Sequence, residues 1–365
     1  MGVAVLMRVL VVNAGSSSVK LSVVGSDGVV EWSESVPVEA GVWDERRVER
    51  ALAGAGRVDA VGHRVVHGGG EFTAPVRLEG WVVERLRELG SLAPLHQSKS
   101  LAGIEVVGRV LPGVPAVACF DTAFHASLPV EASTYAVPEE WRARWGVRRF
   151  GFHGLSHAYA SRRVREWSGA ERVVVAHLGA GASLAAVRAG RSVDTTMGFT
   201  PLEGLVMATR SGSVDPGLVL WLQQHAGVGV DRIAWALEHE SGLSALAGSA
   251  DMRRVLEAER RGEARAVRAV GVYLHRLRGA VASMVASLGG VDALVFTGGV
   301  GEGSSQVRGR CAEGLGFLGV GVDEVANAGL VGEGEISAVG AGVRCWVVRA
   351  REDVEIVRGV RAVLG

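Results

Sequence analysis

The sequence predicts an α/β chain of two duplicated lobes with a cleft between them, and three observations carry that prediction. Two blocks about 160 residues apart repeat one order: strand, polar residue, x-Gly, small-residue turn, strand, tight turn. In the first, the apolar run 9–12 enters Asn13-Ala-Gly-Ser-Ser-Ser18, followed by the apolar run 19–24 and a turn at 25–28. In the second, 173–176 enters His177-Leu-Gly-Ala-Gly-Ala-Ser183, followed by 184–187 and a turn at 189–191. Segments with apolar residues spaced by three and four lie between and beyond these blocks, at 82–89, 156–167, 216–224, 230–239 and 267–288, and predict helices. Finally, 365 residues exceed the roughly 250–300 at which a single core stops growing.

The remaining elements follow in order. Buried strands are expected at 58–66 and 114–120, the second ending in Asp121. Ser156 is a candidate N-cap for the helix over 156–167, and Pro216 occupies a favoured first helical position. The strand 293–297 leads into the glycine run 298–303, read as a loop before a helix. A strand at 345–348 and a helix at 353–364 close the chain, the helix returning to the first lobe. The lobes are therefore expected at 1–122 with 353–365, and at 123–352.

Composition narrows the function. Lys+Arg and Asp+Glu are equal at 39 each, which excludes a strong pull toward nucleic acid or anionic lipid. No apolar run approaches the roughly 20 residues of a spanning helix, so no membrane partner is expected. The start, 1–12, carries no signal-peptide cleavage pattern and reads as a strand. Three well-separated cysteines, Cys119, Cys311 and Cys345, fit reduced thiols in the cytoplasm.

Two bends point to an anion. Gly151-Phe-His-Gly-Leu-Ser-His157 sets His153 just before a helix, and Thr209-Arg-Ser-Gly-Ser-Val-Asp-Pro216 sets Arg210 just before another. Helix N-termini already offer unpaired N–H groups, so cationic donors there suit phosphate or carboxylate. Asn13 with Ser16–Ser18 forms a polar turn fit for phosphate, and the absence of G-x-x-x-x-G-K-[ST] excludes a P-loop. Arg64 lies in an apolar run, where a charge is either paired or snorkelling from an edge strand. Asp121 ends a strand, where open α/β sheets place ligands, although such residues also cap helices. Glu352 and Asp353 form a carboxylate pair that holds Mg²⁺ through waters or caps the last helix. His67, His96, His125, His157 and His177 read as structural.

Together these segments resemble a known family. Asn13-Ala-Gly-Ser-Ser-Ser-Val-Lys20, Gly62-His-Arg-Val-Val-His-Gly-Gly69, Leu92-Ala-Pro-Leu-His96, Phe120-Asp-Thr-Ala-Phe-His125, the His153 bend, Met197-Gly-Phe-Thr-Pro-Leu-Glu-Gly204 and the Arg210 bend are similar, in order, to motifs of the acetate kinases. The family's opening aligns with Met7-Arg-Val-Leu-Val-Val-Asn13, which leaves both Met1 and Met7 open as the start. The resemblance implies two ribonuclease-H-like lobes, as in sugar kinases, Hsp70 ATPase domains and actin. It implies a homodimer that moves a phosphoryl group between ATP and acetate, or another short carboxylate, with Mg²⁺ or in its place Mn²⁺. By the same carry-over, Arg64 and Arg210 flank the acyl and phosphoryl groups, His153 donates to the phosphoryl group, and Asp121 orients substrate. Asn13 and Glu352 support the metal. Val66, Leu95, Phe152 and Pro201 form the acyl pocket. Lys20, His177, Gly179, Ala180, Gly181, Asp251, Met252, Arg253, Gly298, Gly299, Val300 and Gly301 bind ATP.

The chain departs from the family's pattern in neutral positions. His96-Gln-Ser98 replaces His-Asn-Pro, Ala180 and Gly303 each replace Asn, Met252 replaces Phe, and the stretch 28–57 is short. Three readings remain open: an ATP-dependent acetate kinase, a kinase for propionate, butyrate or a specialised carboxylate, and a non-catalytic nucleotide-binding paralogue.

Overall fold

A continuous apolar run makes strand β1 (Val9–Ala14) a strand buried on both faces, the pattern of the centre of a covered sheet. Its alternate residues serve two cores: Leu10 and Val12 pack with the helices Glu45–Gly54 and Pro94–Val110, while Val9 and Val11 pack with the helix Glu352–Leu364. The computed structural model describes residues 7–15, 18–39, 42–92 and 94–365, the backbone alone at 38, 39, 42, 43, 91, 92 and 94–96. Met1–Leu6, Ser16 and Ser17 lie outside the described residues, as does the side chain of Leu95.

Packing divides the chain into two units. The first comprises the chain up to Ala126, Phe152–Tyr159 and Arg351–Gly365, so the His153 bend belongs to it; the second comprises Ser127–Gly151 and Ala160–Ala350.

In the first unit, β1, β2 (Ser18–Val24), β3 (Val30–Glu39), β4 (Val42–Trp43), β5 (Ala60–Val65), β6 (Val76–Arg77) and β7 (Ala116–Phe120) form one sheet, ordered β4-β3-β2-β1-β5-β7-β6. Strands β1, β5 and β7 run parallel to one another, and every other pairing in this sheet is antiparallel. In the second unit, β8 (Arg172–Leu178), β9 (Ala182–Arg188), β10 (Arg191–Thr195), β11 (Ala293–Thr297), β12 (Gly334–Glu335) and β13 (Arg344–Val347) are ordered β10-β9-β8-β11-β13-β12, with β8, β11 and β13 parallel. Both sheets therefore hold a three-stranded antiparallel meander followed by two parallel strands. That shared order, 3-2-1-4-5, is the duplicated ribonuclease-H-like lobe. The two blocks align imperfectly in sequence because the first hairpin closes at Ala14↔Val19 and the second, one residue tighter, at Leu178↔Ala182.

The helices at Pro216–Gln224 and Val230–His239 match their sequence reading. Two other expectations are corrected. The helix predicted from Ser156 begins at Gly154, so Ser156 is a fully buried residue of the first turn and not its cap. The glycine run Gly298–Gly303 is itself a short helix, followed by the helix Ser305–Glu313.

Glycine is required where the last helix crosses the first sheet. A Cβ on Gly62 would stand 2.4 Å from the Ile356 side chain, and one on Gly359 would stand 2.8 Å from Cys119 Sγ. This close approach sets Glu352, the first residue of that helix, within hydrogen-bonding reach of the carboxyl end of β1.

Candidate active site

Three parallel strands of the first unit deliver their last residues to one place. The register pairs Val12 with His63 and Arg64 with Cys119, so Asn13, Arg64 and Asp121 emerge side by side. Arg64 Nε and Nη2 donate to the two Asp121 carboxylate oxygens at 2.9 and 2.5 Å. Arg64 Nη1 donates to Asn13 Oδ1 at 3.0 Å and stands 3.5 Å from Glu352 Oε2. Asn13 Nδ2 closes the loop by donating to Glu352 Oε2 at 2.7 Å. The buried arginine is thus paired, as the cost of burying a charge demands.

The four residues carry one positive and two negative charges. Burial works against the Arg64 charge, but Asp121 and Glu352 outweigh it and hold the guanidinium more firmly protonated than usual. Burial pushes Asp121 above the ordinary carboxylate range against the pull of Arg64, and Glu352 adds to the rise. A guanidinium has five N–H groups, and three are committed here, leaving one on each terminal nitrogen.

The expected Glu352–Asp353 pair does not form. Asp353 turns to Arg351, with Nη2 to Oδ2 at 2.9 Å, while Glu352 turns to Asn13 and Arg64. Among the described residues no three His, Cys, Asp or Glu side chains converge as a metal cage. Glu352 and the Asn13 amide oxygen are hard oxygen donors, which fits Mg²⁺ held chiefly by phosphate oxygens and water.

His153 is fastened to the same strand ends. It has a positive φ of 55°, rare for a residue with a side chain and a mark of backbone held under strain. The next N–H, of Gly154, donates to Asp121 O at 2.9 Å. A Cβ on Gly154 would lie 2.1 Å from that oxygen, so the bend closes only with glycine there. Phe152 is buried beneath, its carbonyl accepting from His125 Nε2 at 3.0 Å. Burial, partly offset by that bond, drops His125 to about 4. His125 and His157 stand edge-on at 5.7 Å, and His157 lies 6.4 Å from the His153 ring, so these histidines serve as packing behind the bend. Val66 is also buried in this unit, and Lys20 is exposed on β2 opposite Asn13.

The second unit holds Arg210. Its Nη1 donates to Pro201 O at 2.7 Å, and its Nε lies 3.9 Å from Glu238 Oε2. Burial lowers its pKa, but an arginine starts high enough to stay cationic. Several N–H groups therefore remain for an anion, in contrast to Arg64. The turn is shaped by Gly212, with φ 70°, where a Cβ would lie 2.4 Å from Leu205 O. Two residues after Pro201, Glu203 enters a network that the sequence did not announce: it accepts from Tyr135 Oη at 2.5 Å and from Arg149 Nη2 at 2.8 Å. Arg149 also donates to Met197 O at 3.0 Å. Partners 54 and 68 residues apart leave no local pattern to read.

A cavity of about 750 Å³ in the same unit brings together Gly179, Ala180, Asp251, Met252, Arg253, Gly299 and Val300. Asp251 caps the helix Met252–Arg260 through Arg253 N at 2.9 Å and pairs with the Arg253 side chain. Gly298 N donates to Glu302 Oε1 at 2.9 Å, and the buried Arg308 donates to Gly301 O at 2.9 Å and Glu302 O at 2.7 Å. Glu302 and Arg308, both missed in sequence, thus fix the two ends of the glycine-rich turn. His177 is half-buried on β8 opposite Ser183, and Gly179 N donates to Gly181 O at 2.9 Å across the turn. The substitutions at Ala180, Met252 and Gly303 all line this cavity, and the carbonyl of Ala180 still accepts from Ala208 N at 3.0 Å.

These features can be set beside known proteins. The chain is 45% identical to the acetate kinase of Deinococcus deserti, with 98% of each chain covered, and 42% identical to that of a Synechococcus, with 98% and 99% covered. Among solved structures it is similar to the acetate kinase of Porphyromonas gingivalis, with 35% identity, a TM-score of 0.88, and 98% and 100% of the two chains covered. It is likewise similar to a propionate kinase of Francisella tularensis, with 32% identity, a TM-score of 0.89 and the same coverage. A model of the acetokinase family matches residues 44–358, and the chain belongs to that family.

Proposed function

We propose that the chain catalyses reversible phosphoryl transfer from ATP to acetate, giving acetyl phosphate and ADP by direct in-line displacement. The observation that supports it most is the single network of Asn13, Arg64, Asp121 and Glu352 at three strand ends. Carboxylate attack on a γ-phosphoryl group brings anions together, and the nucleophile is already ionised at neutral pH, so fixed cations matter more than a general base. In this reading Arg210, with N–H groups to spare, grips the phosphoryl group in flight. Arg64 contributes charge from a locked position and aligns the carboxylate with its two remaining N–H groups. His153, strained toward one orientation, donates to a phosphoryl oxygen. Asp121 keeps Arg64 in place. Glu352 and Asn13 would hold Mg²⁺ through phosphate and water, and Mg²⁺ supplies charge neutralisation on the phosphates when bound.

Val66, Leu95, Phe152 and Pro201 would take the acetate methyl, and the cavity at Gly179–Gly181, Asp251–Arg253 and Gly298–Gly301 the adenosine and its phosphates, with His177 and Lys20 on the phosphate side. This reading also places the protein in the cytoplasm, where ATP and short carboxylates are found. The helix Pro216–Gln224 buries none of its residues although it is rich in Leu, and Leu218, Leu220 and Trp221 are about half exposed, which supports a homodimer through this helix.

A second reading, a kinase for propionate or a longer carboxylate, is favoured by Gln97 in place of the family's Asn. A hydroxamate assay across acetate, propionate and butyrate with ATP and Mg²⁺ tests both. A C2 optimum supports the first, a longer optimum the second, and ATP binding with no acyl phosphate formed would sink both.

A further inference from the structure

We infer that Gln97 is a positioning residue for the acyl pocket and sets which carboxylates the site accepts; this rests on the acyl-kinase reading above. Gln97 is fully buried in the first unit. Its amide pairs with both backbone groups of one residue: Oε1 accepts from His67 N at 3.3 Å, and Nε2 donates to His67 O at 3.1 Å. Nε2 also stands 3.5 Å from Leu86 O, near the end of the helix Gly80–Glu88. A primary amide offers a donor and an acceptor in one plane, so it can mimic a neighbouring strand. Gln97 in effect continues the sheet pairing beyond the end of β5.

The segment it grips is also tied to the elements around it, Phe72 N donating to Gly68 O at 3.0 Å and Asp121 N to Val65 O at 3.0 Å. Gly68 N donates to Thr122 Oγ1 at 3.1 Å, next to Asp121, and Gly69 N donates to His67 Nδ1 at 2.8 Å. The His67 ring stands edge-on to Phe152, with centroids 5.4 Å apart. Val66 adjoins His67 in the chain and Phe152 touches its ring, and these are two of the proposed pocket residues. The two bonds from Gln97 therefore fix the distance between those walls. An asparagine, one methylene shorter, cannot reach both His67 groups unless the helix Pro94–Val110 moves inward. The wall position is consequently particular to this chain's longer amide.

The test compares wild type with Gln97→Leu, which keeps the bulk without the hydrogen bonds, and Gln97→Asn, which keeps the amide without the reach. Each is assayed for kcat and KM with acetate, propionate and butyrate, and for the KM of ATP. The acetate-to-butyrate ratio of kcat/KM is expected to change by about fivefold or more in Gln97→Leu, through the carboxylate KM, and by less in Gln97→Asn, with the KM of ATP steady. A ratio within about twofold of wild type in both folded variants would overturn the inference, as would an ATP KM that moves in step with the carboxylate KM. If Gln97→Leu fails to fold by circular dichroism, Gln97→Asn carries the measurement alone. A wild type that forms no acyl phosphate from any of the three would instead overturn the acyl-kinase reading.

Discussion

Arg64 grips Asp121 through two parallel hydrogen bonds, Nε to Oδ1 at 2.9 Å and Nη2 to Oδ2 at 2.5 Å, across neighbouring parallel strands. The pair is the centre of the first unit's charge network, and both partners are largely buried, at 15% and 2% side-chain exposure. Asp121→Asn keeps the shape and removes a charge, leaving Arg64 compensated mainly by Glu352. We predict a loss of about 3–5 kcal/mol of unfolding free energy, as for other broken buried pairs, measured by urea denaturation. Turnover should fall roughly 10²-fold or more, because Arg64 is then free to turn away. Stability within about 1 kcal/mol of wild type would show that the pair is not a structural anchor.

Arg210 differs from Arg64 in making a single hydrogen bond among the described residues, to the carbonyl of Pro201, with Glu238 Oε2 3.9 Å from its Nε. Arg210→Ala should reduce kcat by roughly 10³–10⁵, the range for an arginine that stabilises a phosphoryl group in flight, with little change in melting temperature. Activity within about tenfold of wild type would remove it from that role.

Gly154 joins the His153 bend to Asp121. In Gly154→Ala the new Cβ would meet Asp121 O at 2.1 Å and Phe124 Cβ at 2.9 Å, so the bend must shift. We expect a cost of about 1–3 kcal/mol from overpacking, a kcat reduced at least roughly tenfold and an unchanged KM for ATP. Wild-type kcat in this variant would mean that His153 needs no such exact placement.

Two buried histidines set a pH limit on stability. Burial lowers His63 to about 3 and, against its bond to Phe152 O, His125 to about 4, both from 6.5. Above pH 6.5 neither state takes up these protons and stability is unaffected. Below it the unfolded chain is protonated while the folded chain resists, so stability falls by about 1.4 kcal/mol per pH unit for each histidine. The loss from His125 ends near pH 4. Urea midpoints between pH 7 and 4 should fall less steeply for His125→Gln than for wild type, and equal slopes would contradict the argument.

Much of the fold was legible because strands such as Val9–Ala14 and Ala293–Thr297 are built on unbroken apolar runs of four residues and bounded by Gly-rich turns. The helix Glu45–Gly54 was not legible: its mean hydropathy is low, and its buried face is only Val48, Ala51 and Leu52. The helix start at Gly154 was displaced to Ser156, since a serine before an apolar run is a capping signal that the bend overrode by hydrogen bonding Gly154 to Asp121. The charged candidates Arg64, Asp121, Glu352 and Arg210 stood out because a charge inside or beside an apolar run must have a partner or a task. Tyr135, Arg149 and Glu203 near the Arg210 bend, and Glu302 and Arg308 at the glycine-rich turn, did not, because each acts through carbonyls, backbone N–H groups or carboxylates that no local spacing reveals.

By itself the sequence determined the duplicated α/β lobes, the bends at His153 and Arg210 and the set of charged residues, because hydrophobic periodicity and turn chemistry are local properties of the chain. Only the tertiary structure decided which charges pair. Parallel register set Asn13 and Arg64 beside Asp121, and the close crossing allowed by Gly62 and Gly359 added Glu352 to the group and left Asp353 to Arg351. Pairing depends on distances of a few ångströms between residues up to 339 positions apart, and those distances exist only after the sheet and its covering helix have packed.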